Sequence, residues 1–580
     1  MLSDVRVVRR VYGSTPHPVK ELHGPTATEG DVRRERTPAR LLNCETLSPV
    51  RWLARPWLAL AVFALLAVVH TWPLATNPAH LSRNDNADTV LNEWTLAWVN
   101  HEIVHDPRHL FDANIFYPER YTLAYSEAMF VQSALAAPIF ALGGSPVLAY
   151  NLVLIAGFAL TGFAFWWLLW RWTGSLAAAY VAGSLAAFNA HVLVRLPHLQ
   201  AQHAEFVALA LFFLDRVAAS DRARDAAGLG IAFALDAMTS IYMLVFSTWL
   251  LLFAALARAR DFLRAPAHAI RAAAVAALVA AALLAPYLAG YAAFHHATGA
   301  ERQAGEAVAF AGWWPDYLLT DGRLHHALWS YRFDLDARAD AFPGVTALVL
   351  VALAFAWPET RRDARVRMCA AAGVGCLVVS MLPRAPFYPR LHDAIVLFRL
   401  VRTPARMAQM VLLMIAVVAG FGVAGLARRW RAASTWGAVA LVAAVNVEAL
   451  RAPIDYTPFT RVPPIYDTLA PIRHAVVVEI PLFPPREIFF NADYMLNSTR
   501  HWHPILNGHS GIRPDSYDET YRLLEHFPDA TSLVALHDRG VTHVVVHLDR
   551  LDADARAALD RAASLTLVGE DAGIRIYRLR

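Results

Sequence analysis

Lysine is almost absent: Lys20 is the only one in 580 residues, so the formal charge of +4 is carried nearly entirely by arginine. Charge of either sign is also scarce. Asp, Glu, Lys and Arg make up 17% of the chain, against about 25% in an ordinary soluble domain, while 57% of residues are hydrophobic. That balance excludes a typical soluble protein and points to the membrane class. Cysteine is limited to Cys44, Cys369 and Cys376, with no CxxC and two of the three inside an apolar run, so no disulfide framework follows. The arginines are dispersed between apolar runs, which gives nucleic-acid binding no support. No internal repeat of fixed period is visible.

What is there begins with an arginine-rich stretch, 1–50, that has Pro, Thr and Gly but no apolar core. It reads as a disordered cytoplasmic tail, not a signal peptide. About eleven runs then have the apolar length to span a bilayer: 52–74, 148–170, 175–190, 203–219, 226–239, 240–257, 268–292, 342–358, 367–382, 405–427 and 434–450. A twelfth run, 128–142, is broken by Pro138 and Gly143-Gly144 and reads as a re-entrant or juxtamembrane helix. With the tail inside, Arg171, 216–224, 258–271, 361–367 and 428–431 become short basic cytoplasmic loops, as the positive-inside rule expects. The long loops 75–147 and 293–341, the turn 189–202, the loop 383–404 and everything after about 452 then share the outer face. The expected organisation is a tail (1–50), a transmembrane domain (51–452) and an extracytoplasmic α/β domain (453–580). In the last, AVVVEIPLF and THVVVH read as buried strands, and 565–579 as a hairpin turning at EDAG.

Four stretches carry residues suited to chemistry. In NDNADTVLNEWTLAWVNH, a helix over 85–101 places Asp85, Asp88 and Asn92 on one face and Leu91, Trp94 and Trp98 on the other. Such a helix fits the membrane surface, with indoles in the interface. A carboxylate there suits a general base on an acceptor hydroxyl, or a divalent cation beside a phosphate; it equally suits a helix cap. The turn HVLVRLPHLQAQH places His198 and Gln200 between two spans, without convincing zinc spacing. FRLVRTPAR brings Arg399, Arg402 and Arg406 to one outer mouth, where guanidiniums converge on phosphate or snorkel to the interface. The loop 293–341 offers Trp314 beside Asp316, a pairing suited to sugars and also to plain anchoring. HWHP and NGHSG add a dense polar loop at 501–511.

Taken together, the aspartate-bearing first outer loop, DANIFYPERYTLAYSE (ending at Glu127), HLQ, FRLVRTPAR and STRHWHPILNGHSG resemble bacterial GT-C-type membrane glycosyltransferases, among them family-39-like or mannosyltransferase-like multi-span proteins. The resemblance runs from about Trp52 to the C-terminus. It implies a polytopic α-helical membrane protein with about eleven transmembrane helices and a small extracytoplasmic α/β C-terminal domain. It implies transfer of a sugar from a polyprenyl-phosphate-linked donor to a cell-envelope acceptor, at the outer face of the bacterial cytoplasmic membrane. Asp88, then Asp85, match the acidic position expected as base or as ligand of Mg or Mn. Arg402, Arg406 and, less closely, Arg399 match the donor phosphate site. His198, Gln200, Glu127, Asp316 and Trp314 would line the cavity. The sequence lacks the compact Asp-Glu or Glu-x-Asp pair common in the superfamily. Two further readings stand beside this one: a transporter or lipid flippase, and a non-catalytic envelope-assembly partner.

Overall fold

The computed structural model describes residues 54–83, 87–333, 340–429 and 435–580. The tail 1–50 and Asp85 lie outside them. Helices cover each of the expected apolar runs: α1 (Pro56–His70), α2 (Asp88–His105), α3 (Phe130–Ala141), α4 (Pro146–Thr173), α5 (Leu176–Ala187), α6 (Glu205–Ala219), α7 (Ala223–Thr239), α8 (Ile241–Ala257), α9 (Pro266–Thr298), α10 (Val345–Ala356), α11 (Ala364–Met381), α12 (Ala408–Arg429) and α13 (Thr435–Ala449), with α2 the polar exception. Among the described residues, four helical segments are long and apolar enough to cross a membrane: Pro146–Thr173, Pro266–Thr298, Ala364–Arg384 and Pro404–Arg429. Six further apolar helices are shorter, so length alone does not establish eleven crossings.

The helices form because their sequences are long runs of Ala, Leu, Val and Phe, with Ser145, Ser175 and Asp363 capping α4, α5 and α11 through side-chain bonds to backbone N–H groups. Small residues set how closely they cross. Phe63 of α1 is fully buried against Gly162 of α4 and Gly183 of α5, where an added Cβ would lie 2.5 and 2.4 Å from its ring. In the apolar stretch of Pro404–Arg429, 83% of the residues are buried, which places it at the centre of the bundle, whereas in that of Pro266–Thr298 only 22% are. What happens at the ends of α12 therefore happens in the middle of the bundle.

After α13 the chain forms a four-stranded sheet in the order β3-β4-β6-β5: β3 (Val477–Ile480), β4 (His543–His547), β5 (Leu565–Asp571) and β6 (Ile574–Leu579). β3 and β4 are parallel, and the β5–β6 hairpin adds antiparallel to β4. Two short strands, β1 (Leu81–Ser82) and β2 (Thr457–Pro458), pair where the chain leaves α1 and where it returns from α13. The loop between α2 and α3 is stitched to the C-terminal sheet region. Ile505 donates to Asn114 O at 2.7 Å, Tyr117 donates to Ile505 O at 2.9 Å and Phe116 donates to Asn507 O at 3.0 Å. Trp94 and Trp98, expected in the lipid interface, are instead buried in this junction: Trp94 donates to Asn114 Oδ1 and Trp98 to Leu110 O. Residues 50–580 form one compact unit.

Asn507 is the pivot of the junction. Its side chain accepts from Glu479 N at 2.8 Å, donates to Glu479 O at 2.9 Å and to Asn491 Oδ1 at 3.2 Å, and it is fully buried. Asn507→Ala leaves three buried polar groups unpaired and should lower stability by about 2–4 kcal/mol. Thermal unfolding in detergent, followed by near-UV circular dichroism, checks this; an unchanged melting temperature contradicts it.

Candidate functional site

The site is built on the first turn of α2. Ala87, the residue before the helix, turns the chain in the left-handed region at φ 66°. Asp88 opens the helix, and its carboxylate sits in the favourable field of the helix N-terminus. A non-glycine residue at positive φ is a strained choice that packing must hold in place. Asn92, one turn on, donates to Pro197 O at 2.7 Å, and Tyr150 of α4 donates to Leu196 O. These two bonds seat the 191–203 turn against α2 and aim His198 at Asp88.

Three segments far apart in sequence converge here. His198 Nε2 lies 3.2 Å from Asp88 Oδ2, and Arg406 Nη2, from the turn leading into α12, lies 2.9 Å from the same nitrogen. His509, from the C-terminal domain, places Nε2 3.7 Å from the other carboxylate oxygen. The His509 loop is held by close approach: a Cβ on Gly508 would meet the Phe116 ring at 2.7 Å, and one on Gly511 would meet Tyr125 O at 2.8 Å. Arg406 also lies over the Tyr242 ring, 5.0 Å from its centroid.

Burial by itself raises the Asp88 carboxyl, while His509 and, when its Nε2 carries a proton, His198 outweigh it and hold Asp88 well below the ordinary carboxylate range. Burial, then the charge of Arg406, pushes His198 down to about 4, so that ring is neutral at pH 7. Burial and the same charge lower Arg195 to about 9. Arg195 Nε faces His191 Nε2 at 3.1 Å. The charge of Arg406 disfavours that of Arg195, and Asp340 partly offsets it. Glu127 is close enough to feel Arg406. Burial raises its carboxyl, while a bond from Ile241 N at 2.8 Å opposes this and fixes the start of α8.

Not every expected residue comes to this point. Arg402 lies over the Phe310 ring at 5.5 Å, and Arg399 pairs with Glu301 at 3.3 Å; among the described residues neither is hydrogen-bonded to Asp88, His198 or Arg406. Gln200 lies in the 3-10 turn after His198, its Oε1 buried without a partner. Asp316 is buried and accepts from Trp313 N at 2.8 Å, shaping a short turn, while Trp314 is 61% exposed. Two residues enter from beyond the expected set. Arg195 was visible as a polar residue of the same turn, and His509 as part of the NGHSG loop; nothing in the spacing said that either faces Asp88. As for magnesium or manganese, no three His, Cys, Asp or Glu side chains among the described residues converge on a point that would hold a metal. Arg406 also crowds the His198 nitrogen nearest Asp88.

No family model matches this sequence, and no curated protein matches it. Solved structures do. Arabinofuranosyltransferase AftD from Mycobacteria, as a point mutant, superposes with a TM-score of 0.57 at 15% identity over 92% of this chain and 42% of its own. A second AftD structure gives 0.51 at 17% identity over 92% and 40%. ArnT from Cupriavidus metallidurans bound to undecaprenyl phosphate gives 0.40 at 14% identity over 92% and 98%, too low a score to carry weight. The chain spans about two fifths of the length of AftD. It has a GT-C-like fold.

Glu93, the residue after Asn92, is fully buried with Ser82 Oγ donating at 2.9 Å, and burial pushes it up to about 8. Its folded value lies above its ordinary 4.5, so the folded state favours the neutral form. That preference costs stability progressively as pH rises from about 4.5 to about 8. Glu93→Gln should therefore unfold at a higher temperature than the parent, with a gap that widens between pH 5 and pH 8. A gap that is constant with pH would contradict a neutral Glu93.

Proposed function

We propose that this protein is a membrane glycosyltransferase that transfers a sugar from a polyprenyl-phosphate-linked donor to a cell-envelope acceptor. The observation that carries the reading is the convergence of Asp88, His198 and Arg406, at one end of the central helix of a GT-C-like bundle. The arginine-sided ends of the helices are assigned to the cytoplasm, which puts the site and the C-terminal domain outside the bacterial cytoplasmic membrane.

The chemistry follows from the charges. Asp88 is ionised at neutral pH and takes the proton of the acceptor hydroxyl as that oxygen bonds to the anomeric carbon. The bond from the anomeric carbon to the phosphate oxygen breaks, and its electron pair leaves on the lipid phosphate. Arg406 and Arg195 form the cationic surface that stabilises the departing phosphate. His198 links the two halves. Arginine can only donate, so Arg406 requires His198 Nε2 to accept; a neutral ring cannot at once donate to Asp88 through that nitrogen. When a donor phosphate draws Arg406 away, Nε2 is released to carry a proton and orient Asp88. Donor binding thus readies the base.

The assay is transfer or slow hydrolysis of radiolabelled polyprenyl-phosphate sugars by the protein in nanodiscs. Asp88→Asn should reduce turnover by about 100-fold or more, with normal insertion and donor binding. Arg406→Ala should weaken donor binding by about 10–100-fold, the loss of one charge-assisted contact, and leave acceptor use unchanged. Normal turnover in Asp88→Asn removes the assignment of the base, and failure of every donor to bind or turn over removes the glycosyltransferase reading.

A further inference from the structure

At the other end of the bundle, one length of α12 (about 33 Å along the axis) from Arg406, lies a cavity that the reaction does not use. Its volume is about 540 Å³, within the range of small-ligand sites of about 300–1,000 Å³. Trp172 and Thr173 at the end of α4, Phe421, Arg428 and Arg429 of α12, and the linker residues Glu359, Thr360 and Asp363 line it. The Trp172 and Phe421 rings, 6.2 Å apart, form an aromatic wall.

The polar groups of this wall are unevenly satisfied. Both carboxylates are engaged: Glu359 by Arg429, and Asp363 by Arg365 N at 2.9 Å. The groups left over are mostly donors. Trp172 Nε1, and Thr360 Oγ1, which can donate or accept, are shut off from water with no partner among the described residues, and Arg428 meets Glu359 through its charge. Indole and guanidinium nitrogens cannot accept, so the complementary ligand is an oxyanion. Arg365 lies behind the wall, 5.8 Å from the Trp172 ring centroid with Nη1 on Trp172 O, and its charge is shared with Asp215 at 3.6 Å and Asp363 at 3.7 Å.

The surface leading to the cavity says what kind of oxyanion. On α10, Val345, Leu348, Val349 and Phe355 are exposed and recur at helical spacing, giving an apolar stripe that runs down to Trp357. Trp357 carries Arg429 over its ring at 5.0 Å, beside the cavity. An apolar track ending in a donor-rich pocket among tryptophans and arginines matches acyl chains joined to a phosphate headgroup. We infer that this cavity binds the phosphate headgroup of a membrane lipid, whose chains lie along α10.

The test uses the full-length protein, purified in detergent and titrated with dioleoylphosphatidylglycerol, with dioleoylglycerol or with inorganic phosphate, and read by native mass spectrometry and melting temperature. Phosphatidylglycerol should bind saturably and raise the melting temperature, and dioleoylglycerol should do neither. Arg428→Gln, at an exposed position that folding tolerates, should weaken the lipid about fivefold, the worth of one interfacial arginine. Trp172→Phe, which keeps the wall but removes the indole N–H, should weaken it as well. Arg171→Gln, on the same end but outside the cavity, should have no effect. Equal binding of phosphatidylglycerol by Arg428→Gln and parent overturns the proposal, as does saturation by inorganic phosphate with no gain from the acyl chains.

Discussion

A single imidazole nitrogen, Nε2 of His198, stands between a carboxylate and a guanidinium, 3.2 Å from Asp88 and 2.9 Å from Arg406. It cannot serve both at once, and that frustration is the constraint on which the rest of the site depends. It needs Asp88 at the very start of α2, a turn pinned by Asn92 and Tyr150, and a central helix that begins at the same level. Moving any of the three by an ångström would leave a half-buried carboxylate or a half-buried guanidinium without its partner.

The architecture answers this need by placing charge at both ends of a largely buried central helix. The Pro404–Arg429 segment has Arg406 at one end and Arg428 and Arg429 at the other. At the first end the arginine is enclosed by the 191–203 turn, Tyr242 and Glu127, and reached from the far side by His509 on a loop held to the loop between α2 and α3. At the second end the arginines rim an open cavity. Enclosure favours directed electrostatics at one end, and openness favours exchange with a fluid environment at the other.

Much of this could be read from the residues alone. Apolar runs marked every helix of the bundle, β-branched runs marked β3 and β4, and EDAG marked the β5–β6 turn. Three polar motifs lying in three different loops already contained Asp88, His198 and Arg406. The spacing of FRLVRTPAR could not say which arginine would turn inward. Arg399 found Glu301 and Arg402 found Phe310, while Arg406 acquired Arg195 as its electrostatic neighbour from another loop. Likewise the apolar face of α2 was legible, but its cover was not. Trp94 and Trp98 meet protein, not lipid, because residues 114–117 and 505–507 close over them.

The sequence by itself determined what depends on local pattern: where helices and strands form, which faces are apolar, and which loops carry ionisable groups. Those follow from periodicity and side-chain chemistry within a few turns of chain. Tertiary structure alone decided what depends on contact between distant segments: the sharing of one histidine nitrogen, the electrostatic opposition of two half-buried guanidiniums, the entry of His509 beside Asp88, and the donor-rich cavity at the opposite end. These are set by distances of a few ångströms between residues up to 421 positions apart, as for Asp88 and His509, and no local pattern encodes such a distance.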